Sequence, residues 1–141
     1  MAGYSGTPLA RKLGIKEGQT VALVHPPDGF DETLGELPGG VSVTHSSRAP
    51  EQADVTVAFY TRRAPFETEL AALGRAIFPN GGLWIAWPKK ASRIPTEVTE
   101  DVVRELALPI GLVDNKVCAV DEVWSGLRII WRVERRGTPP D

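Results

Sequence analysis

A chain of 141 residues with 42% hydrophobic and 24% charged residues has the size and balance of one globular domain, and too much apolar content for overall disorder. Its formal charge of −2 argues against a general nucleic-acid or anionic-membrane coat. One cysteine, Cys118, and two histidines exclude an intramolecular disulfide and leave no Cys- or His-rich metal site.

No apolar run approaches the roughly 18 residues of a membrane span. The opening Met-Ala-Gly-Tyr-Ser-Gly lacks the charged-then-apolar order of a secretory signal, so a cytoplasmic location is expected. Thr7-Pro8 predicts a short helix with Thr7 as cap and Pro8 as first residue, stopped by Gly14. Thr20 to His25 is an almost continuous apolar run, as in a strand buried on both faces of a parallel sheet, and Pro26-Pro27 ends it. Asp28 to Leu37 has room for about two helical turns. Val41 to Thr44 alternates as a short strand, and Asp54 to Tyr60 predicts a stronger one.

Past Pro65, the residues Phe66, Leu70, Leu73 and Ile77 recur at helical spacing, and Pro79-Asn80-Gly81-Gly82 closes that helix. Leu83 to Trp87 is a further buried strand, closed by Pro88. Pro95-Thr96 predicts the start of another helix, with Glu97, Glu100 and Asp101 in its first turns, where the helix dipole favours anions. Val117 to Val123 and Leu127 to Val133 predict a hairpin turning at Trp124-Ser125-Gly126. Strands alternating with helices and then an antiparallel pair describe an α/β fold on an open, mostly parallel sheet with a C-terminal antiparallel hairpin. The domain is expected over 1–134, with 135–141 a flexible tail.

Two family resemblances rest on these segments. Leu13 to Val24, Phe78-Pro-Asn-Gly-Gly-Leu-Trp-Ile85 and the terminal hairpin resemble the class I S-adenosylmethionine-dependent methyltransferases, which implies a Rossmann-like, methyltransferase-like frame. Tyr4 to Gly14, Trp87-Pro-Lys-Lys90, Leu112 to Asp121 and Trp124-Ser-Gly-Leu-Arg128 resemble, nearly end to end, a bacterial family known as domain of unknown function 3052. That resemblance implies a fold and no established activity.

The methyltransferase pattern departs where its chemistry would lie. Such enzymes follow the first strand with a glycine-rich turn, because only glycine lets the backbone approach the cofactor closely. Here His25-Pro26-Pro27-Asp28-Gly29 has one glycine and two prolines that lack amide donors. Val41 to His45 has no acidic residue to hold ribose hydroxyls. The interval from the first strand to the Asp54 strand is short, as if one βα unit were missing. No bound cofactor is therefore expected.

In an open α/β sheet, ligands bind at the carboxyl ends of the parallel strands. Those ends deliver His25, then Tyr60, Thr61, Arg62 and Arg63, then Trp87, Lys89 and Lys90, with Arg93 close behind. Should the last two strands be neighbours, these cations would form an anion-binding crevice for a small anionic ligand or an acidic protein segment; the alternative is a set of solvated loop charges. His25 is a candidate general base, since imidazole exchanges protons near neutral pH; the plainer reading, which is preferred, is a histidine that ends a buried strand and hydrogen-bonds to backbone. No nucleophile or orienting carboxylate can be assigned beside it, Asp28 being close in sequence only.

The leading expectation is a non-catalytic ligand-binding or protein-interaction domain. Two alternatives stand beside it: a divergent methyltransferase holding S-adenosylmethionine by other residues, and an assembly subunit, such as a homodimer, acting through its hairpin and sheet edge.

Overall fold

The computed structural model describes residues 7–140. It contains a six-stranded sheet in the order β2-β1-β3-β4-β6-β5, built from β1 (Thr20–Val24), β2 (Ser42–Ser46), β3 (Val55–Phe59), β4 (Gly82–Pro88), β5 (Leu112–Ala119) and β6 (Trp124–Trp131). β2, β1, β3 and β4 run parallel, and β6 and β5 close the sheet as an antiparallel pair. The expected open α/β frame is therefore present. Between β2 and β3 lies only the loop 47–54, without a helix. Ala49 of that loop packs on the core, which agrees with the expected loss of one βα unit.

Helices cover both faces. α1 (Leu9–Lys12) and α2 (Phe30–Leu34) lie on one side, where Leu13, Leu23, Val57 and Trp84 are fully buried. α3 (Arg63–Ile77) and α4 (Glu100–Ala107) lie on the other, over Ala58, Ile85, Leu127 and Ile129. β3 and β4 are buried along their whole length, as central parallel strands covered on both faces must be. Two tryptophans tie the helical layers to the sheet. Trp84 Nε1 donates to Leu13 O at 3.0 Å, and Trp131 Nε1 donates to Gly74 O at 2.8 Å. At Gly74 a Cβ would meet the Trp131 ring at 3.0 Å, so glycine lets the indole reach the helix backbone.

Several boundaries differ from the sequence expectation, each for a local reason. α1 begins one residue late, with Pro8 itself in the cap position in an extended conformation; Thr7 does not cap it. α4 begins at Glu100, not at Pro95-Thr96. Thr96 bonds instead to Val98 through its own hydroxyl, and Thr99 caps the helix by accepting from Val102 N. Such local side-chain bonds offer the backbone an alternative to the helix. Glu97 leaves its expected helical turn and accepts from Arg63 N at 2.9 Å, serving the start of α3.

The hairpin turn lies at 120–123, and Trp124-Ser125-Gly126 belongs to β6. Asp121 makes the turn, its Oδ1 accepting from the amides of Val123 and Trp124 at 2.8 Å each. Val133, expected as the last residue of the hairpin's second strand, lies beyond the end of β6 and is 74% exposed. Residues 138–140 lie beside Trp131 and Ile110, and Arg136 Nε donates to Trp131 O. Among the described residues, no helix is long and apolar enough to cross a membrane.

Trp84→Phe would leave the Leu13 carbonyl without its buried donor. It is expected to lower the unfolding free energy by about 1–3 kcal/mol, read by chemical denaturation.

Candidate functional site

The carboxyl ends of β1 and β3 are adjacent because these strands pair in parallel register. The chain leaves β1 through His25, whose φ of 55° is left-handed, an uncommon backbone state for a residue other than glycine. The His25 amide is held there by donating to Ser46 O at 2.9 Å, and the state is the more unusual because Pro26 follows, which ordinarily biases the preceding residue toward extended backbone.

The side chain turns toward α3. His25 Nε2 donates to Glu69 Oε1 at 2.8 Å, and Tyr60 OH donates to the same oxygen at 2.6 Å. The His25 and Tyr60 rings meet edge to face with centroids 5.4 Å apart. The side chains of His25 and Glu69 are 31% and 26% exposed, so the pair is shielded yet open to a ligand. With Nε2–H committed to Glu69, the neutral imidazole presents Nδ1 as an acceptor. Among the described residues, Nδ1 has no hydrogen-bond partner.

Glu69 was absent from the sequence expectation, although a signal existed. It stands three residues after Phe66 and four before Leu73, bordering the buried stripe of α3 and itself half-buried. A carboxylate beside the apolar face of a helix needs donors, and here it has two. Tyr60 lies where its strand was expected to deliver it. Its phenol is held well above its ordinary pKa, first by burial and then by the hydrogen bond and charge of Glu69.

The remaining candidates lie on the segments that follow β3 and β4. β3 and β4 are indeed neighbours. The Arg63 guanidinium, however, is engaged by Glu105 of α4 and by Glu67, with the first pairing raising its pKa most. Trp87 is 7% exposed and packs in the core with Tyr60 and Val98. Lys89 donates its amide to Val123 O, and Lys90 opens a single 3-10 turn, Lys90–Ser92. Arg62 and Lys90 are exposed. Among the described residues, no hydrogen bond or ion pair joins the side chains of Arg62, Lys89 and Lys90. Arg93, at φ 62°, is the second left-handed residue other than glycine, and it too follows the carboxyl end of a parallel strand. Such backbone outliers cluster at functional sites.

Among the described residues, no group of His, Cys, Asp or Glu is arranged to hold a metal ion. A second histidine pair sits at the end of β2, where His45 Nε2 donates to both oxygens of Asp31 at 2.8 and 2.9 Å. Cys118 is partly buried and its thiol is pushed up by that burial.

Solved structures share this frame. A SAM-dependent methyltransferase from Aquifex aeolicus superposes with TM-score 0.58 at 18% identity, over 86% of this chain and 86% of that one. An O-methyltransferase from neocarzinostatin biosynthesis, in complex with S-adenosylmethionine and 2-hydroxy-5-methyl naphthoic acid, gives 0.60 at 14% identity, over 82% of this chain and 49% of that one. A pericyclic reaction enzyme gives 0.53 at 14% identity, over 89% and 47%. No protein-family model matches the chain, so domain of unknown function 3052 gains no support from one, and no curated protein matches it. These likenesses show the class I methyltransferase fold.

The donor's usual cradle is not reproduced on that fold. Pro26 and Pro27 occupy the turn without amide hydrogens, and β2 ends in Thr44-His45-Ser46. The carboxylate that reaches this strand end comes from α2, as Asp31, with both oxygens already accepting from His45.

The Tyr60 shift sets a pH dependence. Its folded pKa is raised, so the stability it contributes is fully present below the unfolded value, about 10. That contribution declines as pH rises further, because the unfolded chain loses the proton while the folded one keeps it. Tyr60→Phe is expected to flatten this alkaline loss in denaturation series. Parallel losses in the two proteins would contradict the assignment.

Proposed function

We propose that the chain is a divergent relative of the S-adenosylmethionine-dependent methyltransferases, working at the carboxyl edge of its sheet with His25 where the family has a glycine turn. The observation that carries this reading is the double use of Glu69 Oε1 by His25 Nε2 and Tyr60 OH, which presents Nδ1 of His25 at a strand end. The fold neighbours favour this reading over a non-catalytic role, and they make S-adenosylmethionine the first ligand to test.

In this role Nδ1 accepts a proton from a hydroxyl or amine of the bound substrate. Glu69, hydrogen-bonded to the opposite nitrogen, stabilises the imidazolium that forms, as an orienting carboxylate does beside a general base. Tyr60 keeps that carboxylate in place and remains protonated while doing so. Loss of the base is expected to cost about 10²–10⁴ in rate. Arg62, Lys89 and Lys90, on neighbouring loops of the same edge, are available to a carboxylate of the ligand. S-adenosylmethionine, when bound, supplies the methyl group; its contacts come from residues other than the turn at 26–27.

Calorimetric titration with S-adenosylmethionine and S-adenosylhomocysteine tests the reading, alongside His25→Ala and Glu69→Gln. Saturable binding of both compounds by the wild type is expected, and it is retained in His25→Ala and Glu69→Gln, whose loss falls on methyl transfer to the substrate. No binding of either compound contradicts the reading.

A further inference from the structure

The opposite edge of the sheet carries a second arrangement, independent of His25. Between the end of α1 and the amino-terminal ends of β3 and β4 lies a hollow of about 340 Å³. Four cationic side chains line it (Lys12, Lys16, Lys116 and Arg128) against one acid, Asp54. That acid is already occupied, its Oδ2 accepting from the amide and the hydroxyl of Thr20 at 2.9 and 3.2 Å. In a chain of net charge −2, this is a local reversal of sign.

The cluster is built into the strands. Lys116 and Arg128 are direct cross-strand partners on β5 and β6, and like charges opposite one another destabilise a sheet. A β-bulge between Asp114 and Lys116 sets the register that brings Lys116 there. The Arg128 guanidinium lies flat on β4, so close that a Cβ on Gly82 would fall 2.6 Å from its Nε; glycine at 82 makes room for it. Half-burial lowers the pKa of this guanidinium. Among the described residues it forms no hydrogen bond or ion pair, whereas partly desolvated charges ordinarily find a counter-charge. Lys116 Nζ donates to Lys12 O at 3.0 Å, which holds its ammonium at the rim and leaves further donors. The neutral amides of Gln19 and Asn80 complete the lining.

We propose that this amino-edge hollow binds the phosphate group of a small molecule, with Arg128 and Lys116 as its principal ligands. A flat guanidinium offers paired donors that match the oxygens of an oxyanion. Arg128, Lys116 and Lys16 facing one engaged carboxylate suit a multiply charged group over a monocarboxylate.

Pyrophosphate and inorganic phosphate, titrated calorimetrically at constant ionic strength, are the probes, with acetate as the monocarboxylate arm. Saturable binding of pyrophosphate is expected, weakened about tenfold or more in Arg128→Gln, since charge-assisted hydrogen bonds contribute roughly 1.5–3 kcal/mol. Lys116→Gln, at an exposed position, is expected to weaken it in the same direction and carries the test should Arg128→Gln fail to fold. Arg48→Gln, an exposed cation of the loop 47–54, is expected to bind as the wild type does. Absence of saturable binding, or undiminished binding in the folded Arg128 and Lys116 variants, overturns the site. Displacement of pyrophosphate by equimolar acetate overturns the preference for phosphate. These outcomes are separate from those at His25, since Arg128 and Lys116 stand at the amino edge of the sheet and Arg48, just past the carboxyl end of β2, reports anion binding at the other edge.

Discussion

A half-buried carboxylate beside the apolar stripe of a helix is stabilised by donors, and the two that Glu69 receives tie the carboxyl ends of β1 and β3 to α3. One oxygen receives both the His25 imidazole and the Tyr60 hydroxyl. Three elements are thereby joined: the end of β1, the end of β3 and the middle of α3. The Tyr60 ring packs against Phe66 at 5.3 Å between centroids, so the polar cluster is continuous with the core. The parallel pairing of β1 and β3 brings the two donors side by side, and the helix that follows β3 returns its acid over them.

The same cluster explains why the first turn can depart from the methyltransferase pattern without loss of order. A glycine turn leaves the backbone free to approach a cofactor. The prolines at 26 and 27 remove two amides, while left-handed His25 has its amide on Ser46 O and its ring on Glu69. The fold is common to enzymes of more than one reaction, so the residues at the strand ends, and not the sheet, must carry the functional argument.

The central strands were legible because β1, β3 and β4 are covered on both faces and therefore read as unbroken apolar runs. α3 was legible from its spacing. The start of α4 and the hairpin turn were not, since Thr96 and Asp121 settled them through their own side-chain bonds. Tryptophan and glycine at 124–126 imitate a turn, but Gly126 is there for close packing, a Cβ at that position meeting Trp84 and Val120 at 3.1 Å. His25 was legible as a strand-end residue; its partner, 44 positions away, required the folded structure. The amino-edge cations were invisible as a group because Lys12 and Lys116 stand 104 positions apart. The expected crevice of Arg62, Arg63, Lys89 and Lys90 was read from charge at strand ends, and the pairing of Arg63 with Glu105 shows how an acid from another helix can claim such a charge.

The chemistry proposed for the carboxyl edge requires His25 to be held through Nε2 with Nδ1 left as an acceptor. Long-range nitrogen–proton NMR of the imidazole, recorded above about pH 8 where histidines are ordinarily neutral, reads that tautomer directly. The expected result is a protonated Nε2 and a bare Nδ1 at His25, with the preference lost in Glu69→Gln. A protonated Nδ1, or a tautomer indifferent to Glu69, would contradict it.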